Sequence, residues 1–440
     1  MDRYFGTDGI RGVVPKELTY EIALMLGNAL TTLKEKAKVV VGADTRRSGD
    51  FLVSALSCGV TLGGGSVYNL GVATTPKVSY ITNNKKFDFG VVVSASHNEA
   101  KYNGLKVFDS SGQKIMELDK EKIEDYIFRG HLKEVDYKNI GKIVDISVDS
   151  TYEQFVISFG SRLKGLKIVL DNSNGSASGI SQKLFKKLDA KVISIASRPN
   201  GININDKCGA TYIQTLQKSV IKNKADMGFA FDGDADRIIA VDENGKVVDG
   251  DMILYVLARH YKSEDRLNLN TVVGTKQSNL GFEKALNDAK INLMRSDVGD
   301  SYVVELMNKY DCVLGGENSG HIIMGDKLMT GDGVLTAITL ASILSNSGKS
   351  LSELVEYEPF PSVQKNVVVK SKEQVFRQAD LQQKISDIEK LLKNKGRILV
   401  RQSGTEEKIR VLVECEEEKL AKTLVDCVVN LIIDIDKNIQ

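Results

Sequence analysis

Three aspartates stand at alternate positions, Asp232, Asp234 and Asp236, between the apolar run 228–231 and Arg237. Carboxylates this close repel one another, and without a cation at least one tends to take up a proton. In extended backbone, residues two apart share a side, so all three can meet one hard divalent ion through oxygen. A solvated surface turn has no need of three aligned carboxylates against an apolar strand. An EF-hand loop fits in part, because Glu243 falls at its twelfth position. Arg237, however, occupies the sixth, where the sharp turn needs glycine, and strands flank the loop. A phosphatase with Asp232 as nucleophile stays open as an alternative.

A second loop follows the run 91–93: Ser94-Ala95-Ser96-His97-Asn98, then Tyr102-Asn103-Gly104-Leu105-Lys106. A serine hydroxyl is a weak nucleophile and needs a base, a metal or prior modification. No G-x-S-x-G elbow is present, which argues against a hydrolase triad. A serine carrying a phosphoryl group fits better, its oxygens completing the shell of a cation held by the aspartates. The plain alternative is a helix N-cap with Asn98 in a turn.

Two further loops bear polar groups. Glu317, Ser319 and His321 alternate in the Gly-rich segment 315–321, and a carboxylate and hydroxyl on one side suit vicinal sugar hydroxyls. Arg401-Gln402-Ser403-Gly404-Thr405 and Arg410 lie between two strand-like runs. Hydroxyls, backbone N–H groups at a glycine turn and two guanidinium groups make a phosphate cradle, although a surface hairpin with ion pairs would read the same. Ser347-Gly348-Lys349-Ser350 imitates the end of a Walker A loop, but Ile343 replaces its first glycine and a helical pattern precedes it. Gly348 is better read as a helix C-cap. No G-x-G-x-x-G follows a strand, so no nucleotide cofactor is expected.

Positioning these loops requires strands that end where they begin. Strand-like runs occupy 38–41, 89–93, 167–170, 191–195, 227–231, 238–241, 271–273 and 312–314. Helical periodicity covers 20–34, 51–62, 180–188, 212–222, 252–261, 280–289, 301–308 and 334–344. Short apolar strands between helices predict α/β sheets with parallel pairing, and open α/β sheets bind ligands beyond the carboxyl ends of their strands. Asn244-Gly245 marks a hairpin turn. Beyond Pro359 and Pro361 the order changes to β-α-β-β-α: 367–369, a long helix over 372–393, 397–400, 409–413 and a helix over 416–433. The charged stretches 119–138 and 263–270 read as weaker boundaries.

The chain has 440 residues, enough for several cores without disulfides. Lys plus Arg is 59 and Asp plus Glu 58, a balance that excludes a globally basic nucleic-acid binder. The five cysteines, Cys58, Cys208, Cys312, Cys415 and Cys427, are scattered and form no C-x-x-C, which fits a reducing compartment. The amino terminus lacks an apolar signal core, and no apolar stretch is long enough to span a bilayer. These features predict a soluble cytoplasmic protein with no nucleic-acid or membrane partner.

Taken in order, the four loops resemble those of the α-D-phosphohexomutase superfamily, whose members arrange four domains around one central cleft. The resemblance covers nearly the whole chain. Tyr4-Phe5-Gly6-Thr7-Asp8-Gly9-Ile10-Arg11-Gly12, Asn200-Gly201-Ile202-Asn203-Ile204-Asn205, Cys208-Gly209-Ala210-Thr211 and Thr330-Gly331-Asp332-Gly333 are similar to the bacterial phosphoglucosamine mutase branch in particular. The sequence departs from the usual pattern at Glu99, Ser301, Asn318, Gln402 and Glu407, of which Ser301 and Asn318 leave the sugar preference open.

The resemblance implies three successive mixed α/β domains, 1–150 with the serine loop, 151–250 with the metal loop and 251–360 with the sugar loop, then a smaller α+β domain, 361–440, with the phosphate loop. It implies Mg²⁺ on Asp232, Asp234, Asp236 and a phosphoryl oxygen carried by Ser96. Arg11, His97, Lys106 and Arg237 would surround the transferring group, with Lys106, His97 and His321 open as general base. Glu317, Ser319 and His321 would hold the sugar, and Arg401, Ser403, Gly404, Thr405 and Arg410 the second phosphate. The implied reaction interconverts glucosamine 6-phosphate and glucosamine 1-phosphate through phosphoserine and a bound 1,6-bisphosphate, feeding UDP-N-acetylglucosamine and cell-wall precursors. Glucosamine 1,6-bisphosphate or glucose 1,6-bisphosphate would act as activator. The partner is a small-molecule hexosamine phosphate, and a homodimer is compatible. The alternatives are a glucose or mannose phosphate mutase, a sugar-phosphate phosphatase using Asp232, and a non-catalytic sugar-phosphate binder.

Overall fold

The apolar runs before the first three loops form buried strands, Phe89–Val93, Met227–Phe231 and Leu314–Gly316. Each lies parallel to one neighbour, respectively Lys38–Ala43, Lys167–Asp171 and Thr271–Thr275. Each then turns back through its loop into an antiparallel neighbour, Tyr102–Phe108, Ile238–Asp242 and Ile322–Met324. The sheets are therefore mixed: the predicted parallel pairing is present, and each sheet adds an antiparallel strand beyond its loop. The physical reason is loop length, since a parallel return needs a crossover of a dozen or more residues and these connections are shorter.

The computed structural model describes residues 4–6, 8–403 and 407–439. The chain divides into one unit of Met1–Gln277 with Ile291–Val355 and a second of Ser278–Lys290 with Glu356–Gln440. The first unit holds three sheets, of seven, five and four strands. On the seven-stranded sheet, helices Tyr20–Leu33 and Ser48–Leu62 cover a core of Leu26, Leu30, Leu52, Leu56, Val39, Val41, Val91 and Val93. A side chain at Gly59 would meet the Leu24 carbonyl oxygen at 1.9 Å, so these helices touch backbone to backbone. Burying each aliphatic side chain of this core stabilises the sheet that carries Ser96 by about 1.5–3 kcal/mol.

In the second unit, Ser362–Val368, Lys408–Cys415 and Gly396–Gln402 form an antiparallel sheet in that order. Helices Ala379–Leu392 and Glu418–Asn438 contribute Leu381, Ile388, Val425 and Val428 to its core. Helix Leu280–Asp288 joins this unit: the Leu280 N–H donates to Glu414 Oε2 at 3.1 Å, and Asn279 Nδ2 donates to the Phe360 carbonyl at 3.0 Å.

Two predicted elements are corrected. The charged stretch 119–138 contains the helix Glu117–Arg129, whose buried face is only Ile123, Glu124 and Ile127, too little apolar periodicity to stand out. The single helix predicted over 372–393 is two, Lys372–Phe376 and Ala379–Leu392, because Gln378 between them is extended. The Asn244-Gly245 turn is present, with Gly245 at φ +81° and its N–H donating to the Asp242 carbonyl. Among the described residues, no helix is long and apolar enough to cross a membrane.

Candidate metal and phosphoryl-transfer centre

Ser96 is fully buried in the left-handed backbone region, at φ +53°. Its hydroxyl donates to Asp232 Oδ2 at 2.5 Å and lies 3.3 Å from His97 Nδ1. Ser94 is committed elsewhere: its hydroxyl donates to Asp44 Oδ2 at 2.6 Å and accepts the Ser96 N–H at 2.9 Å. A side chain at Gly233 would meet the Ser96 carbonyl oxygen at 2.5 Å, so the serine and acidic loops pack with no room between them.

Asp232, Asp234 and Asp236 are buried, and one oxygen from each falls within 4.8 Å of the others. Burial, then Asp236 and Asp234, drive the Asp232 carboxyl well above the usual carboxylate range. Burial acts on Asp236 as well, but Lys106, His321 and Arg237 outweigh it and bring that carboxyl down to about 2. Among the described residues, Asp234 Oδ1 and Asp236 Oδ1 are buried with no hydrogen-bond partner. Buried carboxylate oxygens without a hydrogen-bond partner, beside two further carboxylates, fit the donor set of a hard divalent cation, and three oxygen donors suit Mg²⁺.

The surrounding groups are cationic. Lys106 Nζ lies 2.8 Å from Asp234 Oδ2, 3.1 Å from Asp236 Oδ2 and 3.3 Å from Asp8 Oδ2. Burial would lower its ammonium pKa, yet Asp234, Asp236 and Asp8 hold it well above the lysine range, so Lys106 is a fixed positive charge. The Arg237 N–H donates to Asp232 Oδ1 at 3.2 Å, and its Nη1 lies 3.2 Å from His97 Nδ1. Burial, Arg237 and Arg11 lower the His97 imidazole to about 4, leaving it neutral at neutral pH. Arg11 pairs with Asp8.

The sugar-like loop belongs to the same unit. His321 is buried; its Nε2 accepts the Gly331 N–H at 3.1 Å and its Nδ1 lies 3.9 Å from Asp236 Oδ2. Glu317 is buried and accepts the Gly299 N–H at 3.1 Å, whereas Ser319 is exposed. In the second unit, Arg401 and Arg410 stand directly opposite each other on antiparallel strands. Burial and the neighbouring Arg410 lower the Arg401 guanidinium pKa, and among the described residues Arg410 Nε is buried and unpartnered. Ser403 is buried beside them in the chain. Gly404 and Thr405 lie outside the described residues.

Several site residues escaped the sequence reading. Arg46, its side chain wholly buried, directs Nε to Asp44 at 2.9 Å, Nη1 to the Glu99 and Tyr102 carbonyls, and Nη2 to the Ser96 and Asn98 carbonyls at 3.0 and 2.8 Å. All five guanidinium donors are used, four on carbonyls of the segment 96–102 that carries Ser96 and one on Asp44. Asn205 Nδ2 donates to the same Ser96 and Asn98 carbonyls at 2.9 and 3.0 Å. Lys114 bridges Asp8 and Asp300. The available signal was Asp44-Thr45-Arg46 at the end of a buried strand, an acid and a base where solvent-facing polarity would not require them.

Four profiles of one family cover the chain: phosphoglucomutase/phosphomannomutase alpha/beta/alpha domain I over residues 2–134, domain II over 145–245, domain III over 249–360 and the C-terminal domain over 365–431. A phosphoglucosamine mutase of Caldicellulosiruptor saccharolyticus is 43% identical, the match covering 98% of this chain and 99% of the relative. Among solved structures, a phosphoglucomutase/phosphomannomutase family protein of Burkholderia thailandensis superposes with a TM-score of 0.83 at 22% identity, over 98% of this chain and 97% of that one. The N-acetylphosphoglucosamine mutase of Aspergillus fumigatus, solved in complex with GlcNAc-6P and magnesium, superposes with a TM-score of 0.74 at 18% identity, over 99% and 96%.

Proposed function

We infer the reaction from a premise these matches supply: the chain belongs to the phosphoglucosamine mutases, an isomerase family of the α-D-phosphohexomutase superfamily. It interconverts glucosamine 6-phosphate and glucosamine 1-phosphate. The observation that carries the chemistry is the Ser96 hydroxyl, 2.5 Å from Asp232 in a buried three-carboxylate cluster, while Ser94 is tied to Asp44.

Ser96 carries the phosphoryl group. The Ser96 Oγ–P bond breaks as a bond forms from phosphorus to O1 of glucosamine 6-phosphate, and the O1 proton passes, in net terms, to Ser96 Oγ. The bound 1,6-bisphosphate turns around, its 6-phosphoryl group returns to Ser96, and glucosamine 1-phosphate leaves. Phosphoryl transfer is catalysed chiefly by positioning and charge neutralisation. Lys106 and Arg237 supply fixed positive charge beside Ser96, and Arg11 adds to it. Neutral His97 borders the Ser96 hydroxyl and suits a proton-handling role. Asp232, Asp234 and Asp236 would hold Mg²⁺ together with a phosphoryl oxygen on Ser96, and the bound ion would supply charge neutralisation for the phosphoserine.

Glu317, Ser319 and His321 hold the sugar, and Arg401, Ser403 and Arg410, with Gly404 and Thr405, hold the phosphate that is not reacting. Two guanidinium groups facing each other are poorly placed for stability and well placed for a bidentate anion. Glucosamine 1,6-bisphosphate, or glucose 1,6-bisphosphate, recharges Ser96 when the intermediate escapes. The free cysteines and the phosphorylated sugar substrate suit a cytoplasmic enzyme supplying amino-sugar precursors.

Mass spectrometry of the purified protein, with and without phosphatase treatment, combined with a mutase assay, tests this reading. Phosphate on Ser96 and turnover of glucosamine 6-phosphate are expected. Inorganic phosphate as the main product, with Ser96 unmodified, would overturn it in favour of an Asp232 phosphatase.

A further inference from the structure

Helix Thr75–Asn84 begins against the acidic loop. Thr74 caps it, its hydroxyl accepting the Lys77 N–H, and Pro76 occupies a first-turn position where no N–H is needed. Thr75, the first helical residue, is buried. Its backbone N–H donates to the Asp234 carbonyl at 2.9 Å, and its hydroxyl donates to Asp234 Oδ2 at 2.6 Å.

Asp234 Oδ2 therefore has two donors, Thr75 Oγ1 and Lys106 Nζ, while Oδ1 is buried with none among the described residues. The division matters because the terminal torsion of an aspartate is soft and two-fold, so nothing within the residue selects which oxygen faces which neighbour. Lys106 cannot select it alone, for its ammonium also reaches Asp236 and Asp8 and can follow either oxygen. The Thr75 hydroxyl, fixed on a capped helix, pins one oxygen and leaves the other for a cation.

We propose that Thr75 is a positioning residue for the metal: it orients the Asp234 carboxylate so that Oδ1 is free to bind Mg²⁺. The proposal rests on the reading of Asp232, Asp234 and Asp236 as the metal ligands. Hydrogen-bond partners of metal ligands commonly carry a roughly 10- to 100-fold effect on affinity, which sets the expected size. Thr75→Val keeps the shape and the backbone bond to Asp234 but removes the hydroxyl, and Thr75→Ser restores the hydroxyl on a smaller side chain.

The test is calorimetric titration of Mg²⁺ into full-length, dephosphorylated protein, with Asp234→Asn as control. Wild type should bind one ion, Thr75→Val roughly 10- to 100-fold more weakly, and Thr75→Ser close to wild type. Thr75→Ala serves as a second hydroxyl-free variant and should follow Thr75→Val. Affinity within twofold of wild type in Thr75→Val would overturn the proposal, as would equal weakening in Thr75→Ser, since the effect would then follow packing rather than the hydroxyl. Failure of wild type to bind, or unchanged binding by Asp234→Asn, would instead remove the metal-ligand reading itself.

Discussion

The Ser94 hydroxyl donates to Asp44 at 2.6 Å and, through the same oxygen, accepts the Ser96 N–H. One serine of the loop is thus spent on holding the backbone of the other. Ser96→Ala should carry no phosphate and have no mutase activity. Ser94→Ala should still be phosphorylated on Ser96, with turnover reduced at least roughly tenfold, because losing the hydroxyl removes both hydrogen bonds, each worth about 0.5–1.5 kcal/mol. Peptide mapping of both variants checks this, and phosphate on Ser94 in the wild type would reverse the assignment.

The metal cluster gives a second expectation. Asp234→Asn leaves two carboxylates and also weakens the pairing with Lys106. The Mg²⁺ concentration for half-maximal turnover should rise at least about tenfold, and kcat should fall with it. Treatment with a chelator should abolish turnover of wild type, and Mg²⁺ should restore it. Normal activity of Asp234→Asn at low Mg²⁺ would show that the ion lies elsewhere.

The candidate loops were legible as candidates because each needs only local information: an apolar run, then polar residues at a fixed spacing. What holds them was not. Arg46 acts on carbonyl oxygens some fifty positions away, and carbonyls leave no trace in residue identity. Helix Thr75–Asn84 went unread because its buried face includes Thr75, Lys77 and Ser79, polar groups satisfied by distant partners, and Thr82, whose hydroxyl donates back to the Val78 carbonyl. Strand Tyr102–Phe108 was obscured in the same way by buried Asn103 and Lys106. Where a site replaces apolar residues with paired charges inside a core, periodicity fades at the positions that matter most.

Arg401 and Arg410 give an expectation that separates binding from stability. Like charges directly opposite each other on paired strands are mutually destabilising. Arg410→Ala should therefore leave thermal stability unchanged or slightly raised in the absence of anions, while KM for the sugar phosphate rises. Inorganic phosphate should raise the Tm of wild type more than that of the variant. Were Arg410 only a surface ion-pair residue, worth about 0–1 kcal/mol, KM and the phosphate-induced shift would stay at wild-type values.

Asp332 gives an expectation in pH. It caps helix Gly333–Ser347, accepting the Leu335 N–H at 2.9 Å through Oδ1 and the Tyr152 hydroxyl at 2.7 Å through Oδ2. Burial raises its carboxyl to about 6, against partial relief from the Leu335 N–H and Tyr152. The folded pKa thus lies above the unfolded value of about 3.9. The folded state binds this proton more tightly, so the group's contribution to stability is fully present below about pH 4 and is lost as pH rises through about 6. Asp332→Asn keeps the cap and removes the titration. Relative to wild type, the variant should gain stability between pH 4 and pH 7 by up to about 2–3 kcal/mol, because each tenfold difference in proton affinity between the folded and unfolded chain is worth about 1.4 kcal/mol. Other carboxylates are common to both proteins and cancel in the comparison. The measurement is the difference in Tm between the two proteins across that range. A difference independent of pH would mean that Asp332 titrates near its ordinary value, and that Tyr152 and the helix end offset the cost of burying its charge.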